Sequence, residues 1–176
     1  MSGRISGVTR VIVGVDGSEG GLAALRQGAD EASRHGAALC PVLAWTPPGG
    51  EAAGALQPAP LDVRWHWQRQ AETTLEKACE AVLGAAPFAM PVMPKALRAK
   101  AGPALVACAR HDADLLVIGA GRRGPLHHLV HGSVVRHCRR HAHCPLLVVP
   151  FEGTDGAGQS PQILTRAPNR SREGAT

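Results

Sequence analysis

Between Asp114 and Ser133 the chain reads DLLVIGAGRRGPLHHLVHGS. Gly119, Gly121 and Gly124 let backbone N–H groups come close to an oxyanion. Arg122 and Arg123 add guanidinium donors suited to phosphate. Gly132-Ser133 opens a segment, Val134 to His141, with helical character and no Gly or Pro. A helix N-terminus carries unpaired donors and a partial positive charge. Ser133 is expected to cap that helix and to offer its hydroxyl to the same anion. The chemistry this pattern points to is recognition of a phosphate-bearing ligand. A glycine turn after a parallel strand can equally serve chain reversal alone, and the local pattern leaves both readings open. No G-x-x-x-x-G-K-[ST] run occurs, so a P-loop of that type is excluded.

Other reactive side chains give weaker patterns. His137 and His141 stand i, i+4 on the expected last helix, a spacing that can place two zinc ligands on one face. Cys138 points some 100° around the helix from His137, and Cys144 completes no compact four-ligand set. No metal site is expected. His127 or His128 beside a terminal phosphate leaves room for slow hydrolysis at most, since no carboxylate pair supports efficient acid–base work.

These residues need a scaffold. Leu115 to Ile118 is an unbroken apolar run, as in a strand buried on both faces of a parallel sheet. Val8 to Val15 (VTRVIVGV) reads as an earlier strand ended by Asp16-Gly17-Ser18. Ser18-Glu19 then starts a helix that His35-Gly36 stops. Ala37 to Trp45 is a second strand. Pro41 inside it implies a start or a bulge there, because proline lacks a ladder donor. Thr46 to Pro60, rich in Pro, Gly and Ala, is expected to be a long surface loop, a candidate lid. Leu61 to Leu83 carries a long helical pattern, with Trp65, Gln68, Ala71, Leu75, Ala78 and Val82 on or near one face. Trp65 and Trp67 read as core or rim packing. Met90 to Leu97, interrupted by Pro91 and Pro94, suggests a strand at a sheet edge. Gly102-Pro103 opens a helix running from Ala104 to His111, and Pro145 to Pro150 is a final apolar strand.

The alternation β-α-β-α-β-α-β-α-β gives an α/β domain, a parallel sheet with helices on both faces. Ligands in such sheets sit at the carboxyl ends of the strands, at the topological switch point. Asp16 ends the first strand and Gly119 the fourth. If those strands are neighbours, the acid and the glycine loop face one crevice. Asp16 then hydrogen-bonds a ribose or base edge, helps hold a metal, or merely caps the first helix or turn.

At 176 residues the chain suits one domain. There is no Tyr, with three Trp and two Phe, which argues against an aromatic platform for single-stranded nucleic acid. The net charge of +5 is concentrated between Arg122 and Arg140. No recognition-helix motif accompanies it, so nucleic acid is not an expected partner. No apolar run reaches membrane-spanning length and no secretory signal is read at the N-terminus. Five cysteines, an odd number without C-x-x-C, give no disulfide framework and fit a reducing, cytoplasmic compartment.

Val11-Ile12-Val13-Gly14-Val15-Asp16-Gly17-Ser18 resembles the opening of a universal stress protein domain. Leu115 to Gly119, Gly132-Ser133-Val134 and His143-Cys144-Pro145 to Pro150 resemble its closing half. The resemblance spans about Thr9 to Pro150. It implies a flavodoxin-like, adenine nucleotide alpha hydrolase-like fold, doubly wound, with five parallel strands in the order 3-2-1-4-5. The implied domain covers residues 8–151, after a flexible 1–7 and before a disordered tail, 152–176. It implies a homodimer paired through Pro145–Pro150 and, in many members, an ATP site, with or without Mg, with AMP or cyclic AMP as alternatives. The family motif G-x2-G-x9-G-[ST], anchored on Gly132-Ser133, places its first glycine on Gly119 and its second on Arg122. Arg122 either crowds the backbone where the triphosphate passes or replaces an amide contact with a charged one. By resemblance Asp16 lies by the ribose and Ala44 by the adenine. Ile118, Gly119, Gly132, Ser133 and Val134 carry the phosphate side. Such a protein acts as a stress-response sensor or regulator rather than a turnover enzyme. The alternative is a nucleotide-independent dimer working through protein partners.

Overall fold

Apolar runs without polar alternation can only be satisfied by burial on both faces, and they form the inside of one sheet. The computed structural model describes residues 7–84, 88–120, 131–150 and 161–164. The chain enters through β1 (Arg10–Gly14), passes α1 (Glu19–His35) and returns as β2 (Ala38–Trp45). Two helices, α2 (Gly50–Leu56) and α3 (Leu61–Leu83), precede β3 (Lys95–Arg98). Then come α4 (Ala101–Cys108), β4 (Asp114–Gly119), α5 (His131–His141) and β5 (Leu146–Val149). A last strand, β6 (Gln162–Leu164), follows. The strand order is β3-β2-β1-β4-β5-β6. Every pairing is parallel except that of β5 with β6. The expected 3-2-1-4-5 order is thus present, extended by one antiparallel strand.

Alternate residues of each strand feed two cores, as the two-residue period of a strand requires. Val11, Val13, Leu115 and Val117 pack with Leu25 of α1 and Leu75 of α3. Ile12, Leu116 and Ile118 pack with Leu105 of α4 and Cys138 of α5. Helices therefore cover both faces.

One ion pair clamps the centre of the sheet. Arg10 and Asp114 are direct partners across β1 and β4. The guanidinium donates from Nε to Oδ1 at 2.9 Å and from Nη2 to Oδ2 at 2.7 Å. Asp114 is wholly buried and also accepts from the His111 N–H at 2.9 Å, while Arg10 reaches the Cys108 carbonyl. A buried carboxylate is tolerable because its oxygens are held in this way.

The structure departs from several expectations. β2 runs through Pro41 without a break and pairs it with Val13 of β1. The strand neither starts nor bulges there. Residues 38 and 42 bond toward β1, whereas Leu39 and Trp45 bond toward the β3 side. By that alternation Pro41's missing donor faces β3. The ladder is silent at that point, between the Leu39–Val92 bridge and the Val42–Lys95 pair. β3 is shorter than expected and does lie at the sheet edge. The 46–60 stretch contains α2 in place of a bare loop, tied to β3 by an exposed Arg98–Glu51 ion pair at 3.0 Å. Trp65 is 68% exposed and belongs to no core, because α3 buries residues only from Ala71 onward. β6 arises within the tail that the sequence expects to lack structure, and it occupies the outer edge of β5. Phe151 and the other tail residues beyond 161–164 lie outside the described residues.

Asp114→Asn leaves Arg10 without its counter-charge, and unfolding in urea is expected to show a loss of about 2–3 kcal/mol, the lower end for a buried pair because Arg10 is partly solvated. Burial pushes the thiols of Cys138 and Cys144 up to about 11 and raises those of Cys40 and Cys79. Only Cys108 is half-buried rather than buried. Iodoacetamide at pH 8 is therefore expected to label one thiol per native chain and five after unfolding, read by mass spectrometry.

Candidate functional site

The topological switch point lies between β1 and β4, where the strand order turns from β1-β2-β3 to β4-β5. A cavity of about 280 Å3 opens there, at the carboxyl ends of β1, β2 and β4. Val42, Leu105, Ile118 and Val134 give it aliphatic walls. Gly14 lies beneath, where an added Cβ would stand 3.0 Å from Leu105 and 3.2 Å from Ile118. Asp16 and Ser18 bring the polar atoms. Such a chamber suits a flat, largely apolar group held at its edge by a few oriented polar contacts.

The polar rim is built by the start of α1. Ser18 is the N-cap, in extended conformation, and its Oγ accepts from the Gly21 N–H at 3.1 Å. Asp16 Oδ1 in turn accepts from Ser18 Oγ at 2.6 Å and from the Ser18 N–H at 3.0 Å. The carboxylate thus positions the cap instead of capping directly, and it also faces the cavity. Two glycines make this possible. A Cβ on Gly21 would lie 2.5 Å from Asp16 Oδ1, and one on Gly119 would lie 2.6 Å from the Gly20 carbonyl oxygen. The end of β4 and the first turn of α1 touch backbone to backbone, an approach that a side chain would prevent.

A second cavity, about 630 Å3, adjoins the first and shares Ala44, Ala101 and Val134 with it. Its other walls include Thr46, Lys100, Ser133 and His137. Gly102 lets α4 close on α5 here, since a Cβ would meet the His137 ring at 2.9 Å. The His137 and His141 rings lie 4.5 Å apart. Burial, and then the neighbouring His141, lower the His137 pKa below its ordinary value. Two rings in contact carry a full second charge reluctantly, so His137 is a neutral donor and acceptor near pH 7.

Of the residues the sequence singles out, Asp16, Ala44, Ile118, Gly119 and Val134 line the first cavity together. Ser133 faces the second. Gly132 is exposed with nothing within 4 Å of an added Cβ. Ser133 is not the cap of α5, because that helix begins two residues earlier, at His131. Gly121, Arg122 and Arg123 lie outside the described residues, as do His127 and His128. The sequence reading missed Gly14, Gly20, Gly21, Val42, Leu105 and Lys100. The Gly20-Gly21 pair at a helix start was the one local signal available, as glycine there weakens a helix unless close packing requires it. Among the described residues, no group of three or more His, Cys, Asp or Glu side chains could hold a metal ion.

Comparison with known proteins fits this architecture. Residues 7–150 match the model of the Universal stress protein family. No curated protein matches the chain. Among solved structures, one from Archaeoglobus fulgidus described as a universal stress protein is 25% identical, with 80% of this chain and 97% of that one covered and a TM-score of 0.56. A universal stress protein in complex with cAMP is 23% identical over 82% of this chain and 98% of that one, at a TM-score of 0.52. The universal stress protein UspA from Lactobacillus plantarum is 21% identical over 82% and 98%, also at 0.52.

Gly119→Ala forces the Gly20 carbonyl and β4 apart. Urea unfolding is expected to show a loss of about 1–3 kcal/mol, the range for overpacking a filled site. Gly132→Ala, where space is open, is expected to cost none of that.

Proposed function

Because this chain belongs to the universal stress protein family, we propose that it is a stress-response sensor or regulator that binds an adenine nucleotide in the cavity at the β1–β4 switch point. The observation that carries this reading is the aliphatic chamber rimmed by Asp16 at the carboxyl ends of three strands. The adenine stacks between Ala44, Val42 and Leu105, and the ribose hydroxyls meet Asp16. At about 280 Å3 the chamber is at the small end of ligand pockets, about 300–1,000 Å3. It holds base and sugar, and the phosphates extend beyond it, toward Ser133, Lys100 and the segment carrying Gly121, Arg122 and Arg123. ATP, with or without Mg, is the proposed ligand, and AMP and cyclic AMP are the alternatives. The solved relative in complex with cAMP supports an adenine ligand with phosphate attached.

Binding rather than turnover is the proposed role, with at most slow hydrolysis. Burial and the neighbouring His141, with no carboxylate among the causes, lower the basicity of His137, which makes it a weaker general base. The proposed compartment is the cytoplasm, where buried free thiols persist. The proposed working unit is a homodimer paired through Pro145–Pro150.

A second reading rests on one residue. Arg122 stands where the family motif has its second glycine, and this favours a dimer that acts through protein partners without nucleotide.

Calorimetric titration with Mg-ATP, AMP and cyclic AMP tests both readings. Saturable binding is expected, weakened at least about tenfold by Gly132→Val, a loss of one good interaction. An added Cβ at Gly132 meets nothing within 4 Å, and an unchanged urea midpoint for the variant assigns its lost affinity to the site. Lys100→Gln is expected to weaken ATP more than adenosine. With Arg122→Gly, affinity that falls marks Arg122 as a phosphate ligand. Affinity that rises from nothing marks a lost site and favours the second reading.

A further inference from the structure

The outer edge of β5 is closed by the chain's own tail. β6 pairs antiparallel with β5, Leu146 opposite Leu164, Leu147 opposite Ile163 and Val148 opposite Gln162. β5 itself is Leu-Leu-Val-Val, with Leu146 and Leu147 buried. Without β6 it would present a row of free N–H and C=O groups on an apolar strand, the arrangement that recruits another strand. The cap is small. It spans three residues, leaves Val149 unpaired with it, and shows Ile163 44% exposed. Holding it also requires closing the chain between Val149 and Gln162, an entropic cost set against only three residue pairs.

The direction of β6 decides which competitor fits. Two copies related by a two-fold axis meet the same edge with the same edge, and their strands then run antiparallel. β6 already runs antiparallel to β5, so it fills the backbone positions that β5 of a second copy would fill. We infer that β6 is a detachable edge cap, which holds the β5 edge shut within one chain and competes with β5 of a second copy for that edge. Self-association is then governed by the tail. The inference is independent of nucleotide, because β5 and β6 line neither cavity.

Sedimentation velocity on the full chain across a concentration series tests it. Pro145 and Val149 bond toward β4, so by alternation Leu146 and Val148 face β6, and Gln162→Pro removes a donor that β6 gives to β5 and fixes its backbone. It is expected to dimerise at least about tenfold more tightly than the natural chain, as the loss of a competing hydrogen-bonded contact predicts. A double variant, Val148→Cys with Gln162→Cys, joins a directly opposed and less buried pair. Oxidised, it is expected to stay monomeric at concentrations where its reduced form associates. Gln162→Pro that associates no more tightly than the natural chain overturns the inference. Equal association of the oxidised and reduced double variant does so as well, and that pair of measurements decides the matter if Gln162→Pro fails to fold.

Discussion

Everything in this domain hangs on the parallel pairing of β1 with β4. The two strands are remote in sequence, and no turn aligns them. Their register is fixed at one end by the Arg10–Asp114 ion pair and at the other by contact between Gly119 and the Gly20 carbonyl. Charge pairing resists a slip because it would leave Asp114 buried without its cation. Backbone contact resists it because any other residue would bring a side chain where none fits. The cavity at the switch point is a consequence. It forms where the two strands end side by side and their following segments diverge to opposite faces.

The site is built in two materials. Aliphatic side chains from β2, β4, α4 and α5 make the walls of a chamber, and the first turn of α1 brings oriented polar atoms to its rim. Asp16 serves both the fold and the rim. One oxygen orients Ser18, and the same carboxylate faces the chamber. A residue tied into a cap in this way is held still, which lowers the ordering cost of meeting a ligand. The adjoining cavity, with Lys100, Ser133 and His137, widens the range of polar groups that a ligand extending from the chamber would meet.

Much of this was legible in the sequence where the signal is local. The β-branched and leucine runs announced β1, β2, β4 and β5, and Ser18-Glu19 and His35-Gly36 marked the ends of α1. The meeting of Asp16 and Gly119 at one cavity was legible because strand ends in a doubly wound sheet converge by rule. Leu105, Val42 and Lys100 were not. They are ordinary residues within an element or at its start, and only packing makes them neighbours of Asp16. α2 escaped notice because a seven-residue helix without a buried side chain has no apolar period to read. Trp65 was assigned to packing on the strength of its size, yet α3 extends beyond the sheet at that end and leaves it in solvent.

By itself the sequence determined the class of fold and the alternation of its five parallel strands with helices. Those follow from side-chain period and from glycine and proline placement, which act within a few residues. Tertiary structure alone decided the partner of Asp114, the route of β2 through Pro41 and the fate of the β5 edge. The reason is the same in each case. A carboxylate's counter-charge, the direction of a missing N–H and the occupant of a strand edge all depend on which distant segment arrives alongside. Proline 41 is harmless because its absent donor points at a gap in the β3 ladder, and the β5 edge is closed because three residues from the tail reach it.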